Sequence, residues 1–174
     1  MNIMPNILRG KSHSTERNSR LLDSIGWRIL SELQRDARIP YAELGRRVGL
    51  STSSAMERVR RLEEAGIITG YRAEVHPSNV GYPVLAFILI NVVGDFLSHI
   101  ARVSRDMPEV LECYRITGRD SFIMKVAVPS VSDLQLLIDR MTPFVATTTS
   151  VVLSEIVTTR VVEPGKLPPE RKQK

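Results

Sequence analysis

From Leu21 onward, apolar residues recur at Leu22, Ile25, Ile29, Leu30 and Leu33. A return every three to four residues predicts an amphipathic helix, with Asp23 near its start and Pro40 closing the segment. The stretch YAELGRRVG predicts a short second helix with Leu44 and Val48 on one face, and Gly49 at its end can take the left-handed backbone that stops a helix. A third helix follows at once. Ser51 or Thr52 can cap its free amides, Ala55, Val59 and Leu62 form an i, i+4, i+7 stripe, and Gly66 ends it. Short helices separated by so tight a turn form a small bundle of helix-turn-helix type. In GIITGYRAEVHPSNVGYP, Ile and Val alternate around Gly70 before the turn cluster His76, Pro77, Ser78, Asn79, which predicts a strand or β-wing running into a linker.

The second half alternates differently. VLAFILINV predicts a strand, DFLSHIARVSRDM a helix with Phe96, Ile100 and Val103 inward, and EVLECYRIT a second strand. SFIMKVAV predicts a third strand, VSDLQLLIDRM a helix burying Leu134, Leu137, Ile138 and Met141, and TSVVLSEIVTTRVVE a fourth strand. The order β-α-β-β-α-β is that of a ferredoxin-like antiparallel sheet with both helices on one face. The expected fold is therefore α+β, an N-terminal winged helix-turn-helix domain followed by a C-terminal ferredoxin-like domain. The first strand is apolar on both sides, Phe87 and Leu89 against Ile88 and Ile90, so the open sheet face is expected to pack on a second copy of the chain. The expected boundaries are a poorly ordered arm over 1–20, a helical domain over 21–75, a linker over 76–83, the sheet domain over 84–162 and a frayed Pro-rich, charged tail over 163–174.

Charge sharpens the picture. The 174 residues carry a net charge of +5. Residues 1–75 hold 13 Lys and Arg against 9 Asp and Glu, a net of +4, and the remainder holds 11 against 10. The positive excess is mostly N-terminal, which favours an acidic partner there. The one cysteine, Cys113, excludes an intrachain disulfide framework and points to a reducing, cytoplasmic setting. The longest apolar run, Tyr82 to Gly94, is too short for a membrane-spanning helix, and Pro5 interrupts any apolar signal core at the N-terminus, so no membrane partner is expected.

On a wheel of about 100° per residue, Val59 shares its side with Ala55, Leu62, Met56 and Thr52. Ser53, Ser54, Glu57 and Arg61 face outward, with Arg58 and Arg60 on the flanks. A helix start made of small hydroxyl residues approaches a phosphate or base edge without bulk, and its free N–H groups favour an anion. An arginine run alone is more often a solvated surface, since pairs such as Glu57 and Arg61 occur on many exposed helices. The preceding helix and tight turn favour double-stranded DNA. The candidate contacts are Ser51, Thr52, Ser53, Ser54, Glu57, Arg58 and Arg61, with Tyr41, Arg46 and Arg47 bracing the backbone.

The stretch from Leu22 to Ala73, with LGRRVGLS, ERVRRLEEAGII and GYRA in sequence, resembles the DNA-binding domain of the Lrp/AsnC, or feast/famine, family of transcription regulators. The similarity continues through TGRDSFIMKV and covers about Leu21 to Val162. It implies that the second half senses an amino acid or similar small molecule, that the chain dimerises through its sheet, and that dimers assemble further, often to octamers. The turn Thr117, Gly118, Arg119, Asp120, Ser121 is the first effector candidate. Gly118 admits close backbone approach, N–H groups beside Arg119 can hold a carboxylate, and Asp120 can receive an ammonium. The family often shows Gly-x-x-Asp-Tyr here. This chain instead has Ser121 and Phe122 in the last two places and carries Asp120 one residue earlier, and a plain hairpin turn carries equal weight. Thr147, Thr148 and Thr149 are the second candidate, although threonine is also an ordinary strand residue.

His13, His76 and His99 lack ligand spacing with Cys113, so no metal is expected, and Cys113 is expected to be a small buried thiol. Trp27 is expected to pack rather than stack on a base. No phosphate-cradling loop or catalytic set appears, so neither enzymatic activity nor a cofactor is expected. The leading expectation is a cytoplasmic, nucleoid-associated regulator whose DNA binding or assembly responds to an amino-acid effector. The alternatives are a nucleoid-architectural protein of low sequence preference, or a ferredoxin-like small-molecule-binding protein or metabolic enzyme.

Overall fold

The computed structural model describes residues 18, 20–92, 96–141 and 145–165. The chain divides into two compact units, Met1–Ala73 with Thr159–Lys174, and Glu74–Thr158. Nearly all of the arm expected over 1–20, and the tail beyond 165, fall outside the described residues.

In the first unit, α1 (Ser24–Arg35), α2 (Tyr41–Val48) and α3 (Thr52–Glu64) surround a core of Ile29, Leu30, Ile39, Leu44, Val48, Val59 and Leu62. Each fully buried aliphatic side chain contributes roughly 1.5–3 kcal/mol by leaving water. Asp23 caps α1, its Oδ1 accepting the Gly26 N–H at 2.7 Å. Gly26 is sterically required, because a Cβ there would lie 1.9 Å from the Leu21 carbonyl oxygen.

Two expectations change in this unit. Met56, placed by the wheel on the buried stripe, is 52% exposed, and Thr52 is exposed as well. Both sit at the edge of the sector, outside the stripe of Ala55, Val59 and Leu62 that is buried. Residues 69–76 form neither helix nor strand, so the expected wing strand is not present in the single chain. An alternating segment becomes a strand only beside another strand, and within the described residues it has no such neighbour.

The second unit opens with a 3₁₀ turn over Pro77–Val80. There follow β1 (Val84–Asn91), α4 (Leu97–Asp106), β2 (Val110–Arg115), β3 (Phe122–Val128), α5 (Val131–Met141) and β4 (Ala146–Val151), the expected βαββαβ order. The strands lie antiparallel in the order β2-β3-β1-β4. Ala86, Ile88 and Ile90 alternate into one face and meet Phe122, Met124, Val126, Ile100, Leu134 and Leu137. The opposite face shows Leu85, Phe87 and Leu89 beside Ile123 and Lys125, all only partly covered.

Three details differ from expectation. β4 runs over Ala146–Val151 rather than to Glu163, because pairing with β1 ends at Ala86↔Val151. Phe96 stands at the start of α4, 44% exposed rather than inward, with its ring edge-on to that of His99. Cys113 lies on the edge strand β2 and is exposed rather than buried, although its thiol turns toward Ser104 Oγ at 3.8 Å. Partial burial still pushes the Cys113 pKa up, which keeps it a thiol rather than a reactive thiolate.

Candidate functional site

The turn between α2 and α3 is built by backbone. Gly49 takes φ +76°, and both its N–H and that of Leu50 (2.8 Å) return to the Gly45 carbonyl. Gly45 lies against the turn it terminates: a Cβ there would meet the Leu50 carbonyl oxygen at 2.7 Å and that of Ser51 at 3.2 Å. The close approach fixes where α3 begins.

Ser51 is the cap of α3. Its Oγ accepts the Ser54 N–H at 3.2 Å, donates to Ser54 Oγ at 2.9 Å and lies 3.1 Å from Ser53 Oγ. Ser51, Thr52, Ser53 and Ser54 are all exposed, and no acidic residue occupies the first turn. Small hydroxyls and unspent amides thus face solvent at the positive end of a helix dipole, a surface suited to phosphate oxygens and base edges.

The arginines are less open than the serines. Arg46 makes a two-pronged contact with Glu43, with both bonds at 2.7 Å. Arg47 bridges Glu43 and Glu32, again at 2.7 Å each. Those hydrogen bonds, Arg46 first and then Arg47, hold the Glu43 carboxyl down at about 2. Arg61 Nε lies 2.9 Å from Glu57, which also receives Arg60, and the two together lower the Glu57 pKa. Arg58 stands apart, bonded to Asp23 at the start of α1 with its side chain only 25% exposed. Arg28, missed by sequence reasoning, donates to the carbonyls of Arg47 and Val48, closing the C-terminal end of α2. Tyr41 opens α2 and is partly exposed.

At the sheet, the β2–β3 turn is fastened mainly through Ser121. Its N–H donates to the Ile90 carbonyl (2.8 Å), its carbonyl accepts from Ile116 N–H (3.0 Å), and its Oγ accepts from Val92 N–H (3.4 Å). Asn91 Nδ2 donates to the Arg119 carbonyl at 2.9 Å. Ser121 therefore helps to hold the turn. Thr117, Gly118 and Arg119 are exposed, Asp120 is half-buried, and Gly118 takes φ +120°. Thr147, Thr148 and Thr149 lie inside β4 rather than at a free loop. The register nonetheless places them near the turn: Ile90 pairs with Phe122 on one side and Thr147 on the other. Two strand spacings, about 10 Å, separate Phe122 from Thr147, so both effector candidates share one end of the sheet.

No cluster of metal-ligating side chains occurs among the described residues, and no described helix is long and apolar enough to cross a membrane.

Comparison with known proteins bears on both units. Residues 22–63 match the AsnC-type helix-turn-helix domain and residues 85–162 the Lrp/AsnC ligand binding domain. A Bacillus subtilis protein named as the uncharacterized HTH-type transcriptional regulator YezC is 43% identical over 133 residues, 76% of this chain and 94% of that protein. The leucine-responsive regulatory protein of Escherichia coli is 36% identical over 128 residues, 72% of this chain and 78% of that one. Among solved structures, Bacillus subtilis LrpC superposes with a TM-score of 0.76 at 35% identity, covering 79% of this chain and 99% of its own. The feast or famine regulatory protein of M. tuberculosis, complexed with L-methionine, superposes with a TM-score of 0.77 at 33% identity, covering 82% and 99%.

Proposed function

Because the chain belongs to the Lrp/AsnC family of transcriptional regulators, we propose that it reads DNA with the start of α3 and takes an amino acid at the turn end of its sheet. It is a ligand-responsive, DNA-binding regulator, as its relatives are. The observation that carries the residue assignment is the exposed hydroxyl cluster Ser51–Ser54, positioned by the Gly45–Leu50 turn. Ser53 and Ser54 approach base edges, Ser51 and Thr52 lie against phosphates, and Arg61 and Arg46 exchange their carboxylate partners for the DNA backbone. Tyr41, Arg47 and Glu57 border this surface. Arg58 supports it from behind through Asp23.

An L-amino acid is the effector class this chemistry favours. Its carboxylate suits backbone amides beside Arg119 and its ammonium suits Asp120, and methionine occupies two of the similar structures. The half-covered apolar sheet face supports a homodimer, and higher assembly to an octamer follows the family's habit. No catalytic constellation is needed for such work, so the protein acts without enzymatic activity, in the cytoplasm on the nucleoid.

A mobility-shift titration against the promoter of the neighbouring gene tests the reading. Binding at physiological salt is expected to be at least about 10³-fold tighter than to a scrambled duplex, and equal affinity for both would refute it. A thermal-shift screen of the twenty amino acids tests the effector, since a ligand that prefers the folded state raises the melting temperature. Asp120→Asn is expected to remove that rise.

A further inference from the structure

The outer face of α3 does not end at its hydroxyl start. Ser53, Glu57, Arg60, Arg61 and Glu64 recur at helical spacing, so one face runs from the capped end to the last turn. The second half of that face walls a cleft of about 420 Å³ together with Arg20 and Leu21, which lie on the chain ahead of α1.

Arg20 is held there by its neighbours. Leu21 is half-buried against the bundle core, and its carbonyl oxygen lies close enough to Gly26 to exclude a Cβ. The N–H of Leu22 donates to the Asn18 carbonyl at 3.0 Å. In the cleft, Arg60 is shared between Glu57 and Glu64, at 2.8 and 3.4 Å, and Arg61 takes Glu57 at 2.9 Å. Arg20 is exposed and, among the described residues, pairs with neither carboxylate. Residues 21–75 hold 9 Lys and Arg against 8 Asp and Glu, so the bundle is close to self-neutralised and Arg20 adds a cation just ahead of it.

The spacing suits a duplex. Seven residues of α3 lie between the levels of Ser53 and Arg60, about 10 Å along a helix axis, and the major groove is about 12 Å wide. A helix that enters the groove by its start therefore brings its later turns to the rim, where the phosphates run. Exposed ion pairs hold weakly, and a guanidinium grips a phosphate with the two-pronged geometry it uses for a carboxylate.

We infer that this cleft is a phosphate clamp, in which Arg20 and Arg60 grip the DNA backbone from two different elements, beside the bases met by the start of α3. The inference rests on the DNA-reading assignment above. Phosphate contacts carry no sequence information, so the clamp strengthens binding to operator and random duplex alike.

Mobility-shift titrations of the full chain at several salt concentrations, on the promoter of the neighbouring gene and on a scrambled duplex, test the clamp. Arg20→Gln and Arg60→Gln should each reduce the slope of log affinity against log salt by about 0.9 per half-site. Each should also weaken both duplexes by the same factor. Arg105→Gln, in the last turn of α4, removes the same charge away from the cleft and should leave the slope unchanged. An unchanged slope in either cleft variant, as for an ion-pair cluster that never meets DNA, overturns the clamp, and so does an equal drop in Arg105→Gln. When the unaltered chain prefers the promoter and Arg20→Gln keeps its slope, the clamp alone falls. Equal affinity of the unaltered chain for both duplexes refutes the DNA-reading assignment and the clamp with it.

Discussion

Arg58, on the helix whose start faces solvent, is bonded to Asp23, the residue that caps α1. One carboxylate thus serves two purposes: Oδ1 accepts the Gly26 N–H and Oδ2 accepts the Arg58 guanidinium. Both contacts, Arg58 first, lower the Asp23 pKa. The pair ties α3 to the start of α1, so Arg58 helps to hold α3 in place. Asp23→Ala should cost about 1 kcal/mol for the lost cap. Chemical denaturation of Asp23→Ala, Arg58→Ala and the double variant should give a coupling of about 0.2–1 kcal/mol, the range for a partly exposed pair. Additive losses would show that the pair contributes nothing.

Arg61 and Glu57 form the opposite kind of pair, exposed and exchangeable. Arg61→Ala should weaken DNA binding and reduce the slope of log affinity against log salt by about 0.9 if the residue meets a phosphate. A preference relaxed at one base pair, with the slope unchanged, would mark direct readout instead. Glu57→Gln should raise affinity for random duplex by freeing both Arg60 and Arg61. Titrations of each variant at several salt concentrations distinguish these outcomes.

Gly45 inverts the usual rule for helices. Replacing an interior glycine by alanine ordinarily stabilises a helix by roughly 0.5–1 kcal/mol. Here the added Cβ would lie 2.7 Å from the Leu50 carbonyl oxygen, a backbone atom that moves only if the turn moves. Gly45→Ala should therefore destabilise the protein by about 1–3 kcal/mol. It should weaken DNA binding out of proportion to the unfolded fraction, because the displaced turn carries Ser51 with it. Denaturation and mobility-shift titration on the same preparation test both effects.

Acid should loosen α2 through Glu43. Its carboxyl is held at about 2 in the folded chain, from an unperturbed 4.5, by Arg46 and then Arg47. The folded state therefore binds its proton less readily than the unfolded state. That contribution is fully present above pH 4.5 and is lost as pH falls toward 2. Glu43→Gln lacks it at every pH. The melting temperatures of the two proteins should differ most above pH 5 and converge by about pH 2. Because these groups are solvent-exposed, added salt should shrink the difference.

Element order, strand faces and helix stripes were legible because they rest on periods of two and 3.6 residues, which a chain displays locally. The limits lay in relations between distant residues. The alternation that predicts β4 continues past Val151 to Val162, yet a strand ends where its neighbour does, and β1 begins at Val84. Gly26 and Gly45 look like weak helix residues until the carbonyls pressing on them are known. Ser121, an effector candidate, also fastens its turn through bonds to Ile90, Ile116 and Val92, which the sequence does not display. Arg58, a DNA-contact candidate, pairs with a residue 35 positions away, which no local pattern reveals. The hydroxyl start of α3 was legible because its cap, Ser51, and the exposed residues after it form one local motif.

The open face of the sheet gives a test of assembly that spares the monomer fold. Phe87 points away from the helices and is 38% exposed, flanked by half-covered Leu85 and Leu89. Lys125 stands directly opposite Phe87 in the register between β1 and β3. Phe87→Glu would put a carboxylate beside that ammonium, a pairing that stabilises a strand pair by about 0.2–1 kcal/mol. The substitution also puts a charge at the centre of a patch that would lose its water in a dimer, where an unpaired charge is costly. Sedimentation of Phe87→Glu should give a monomer with unchanged far-ultraviolet circular dichroism, and a two-half-site operator should be bound far more weakly than by the unaltered chain. Retention of the unaltered protein's mass by this variant would remove the sheet face as the dimer contact.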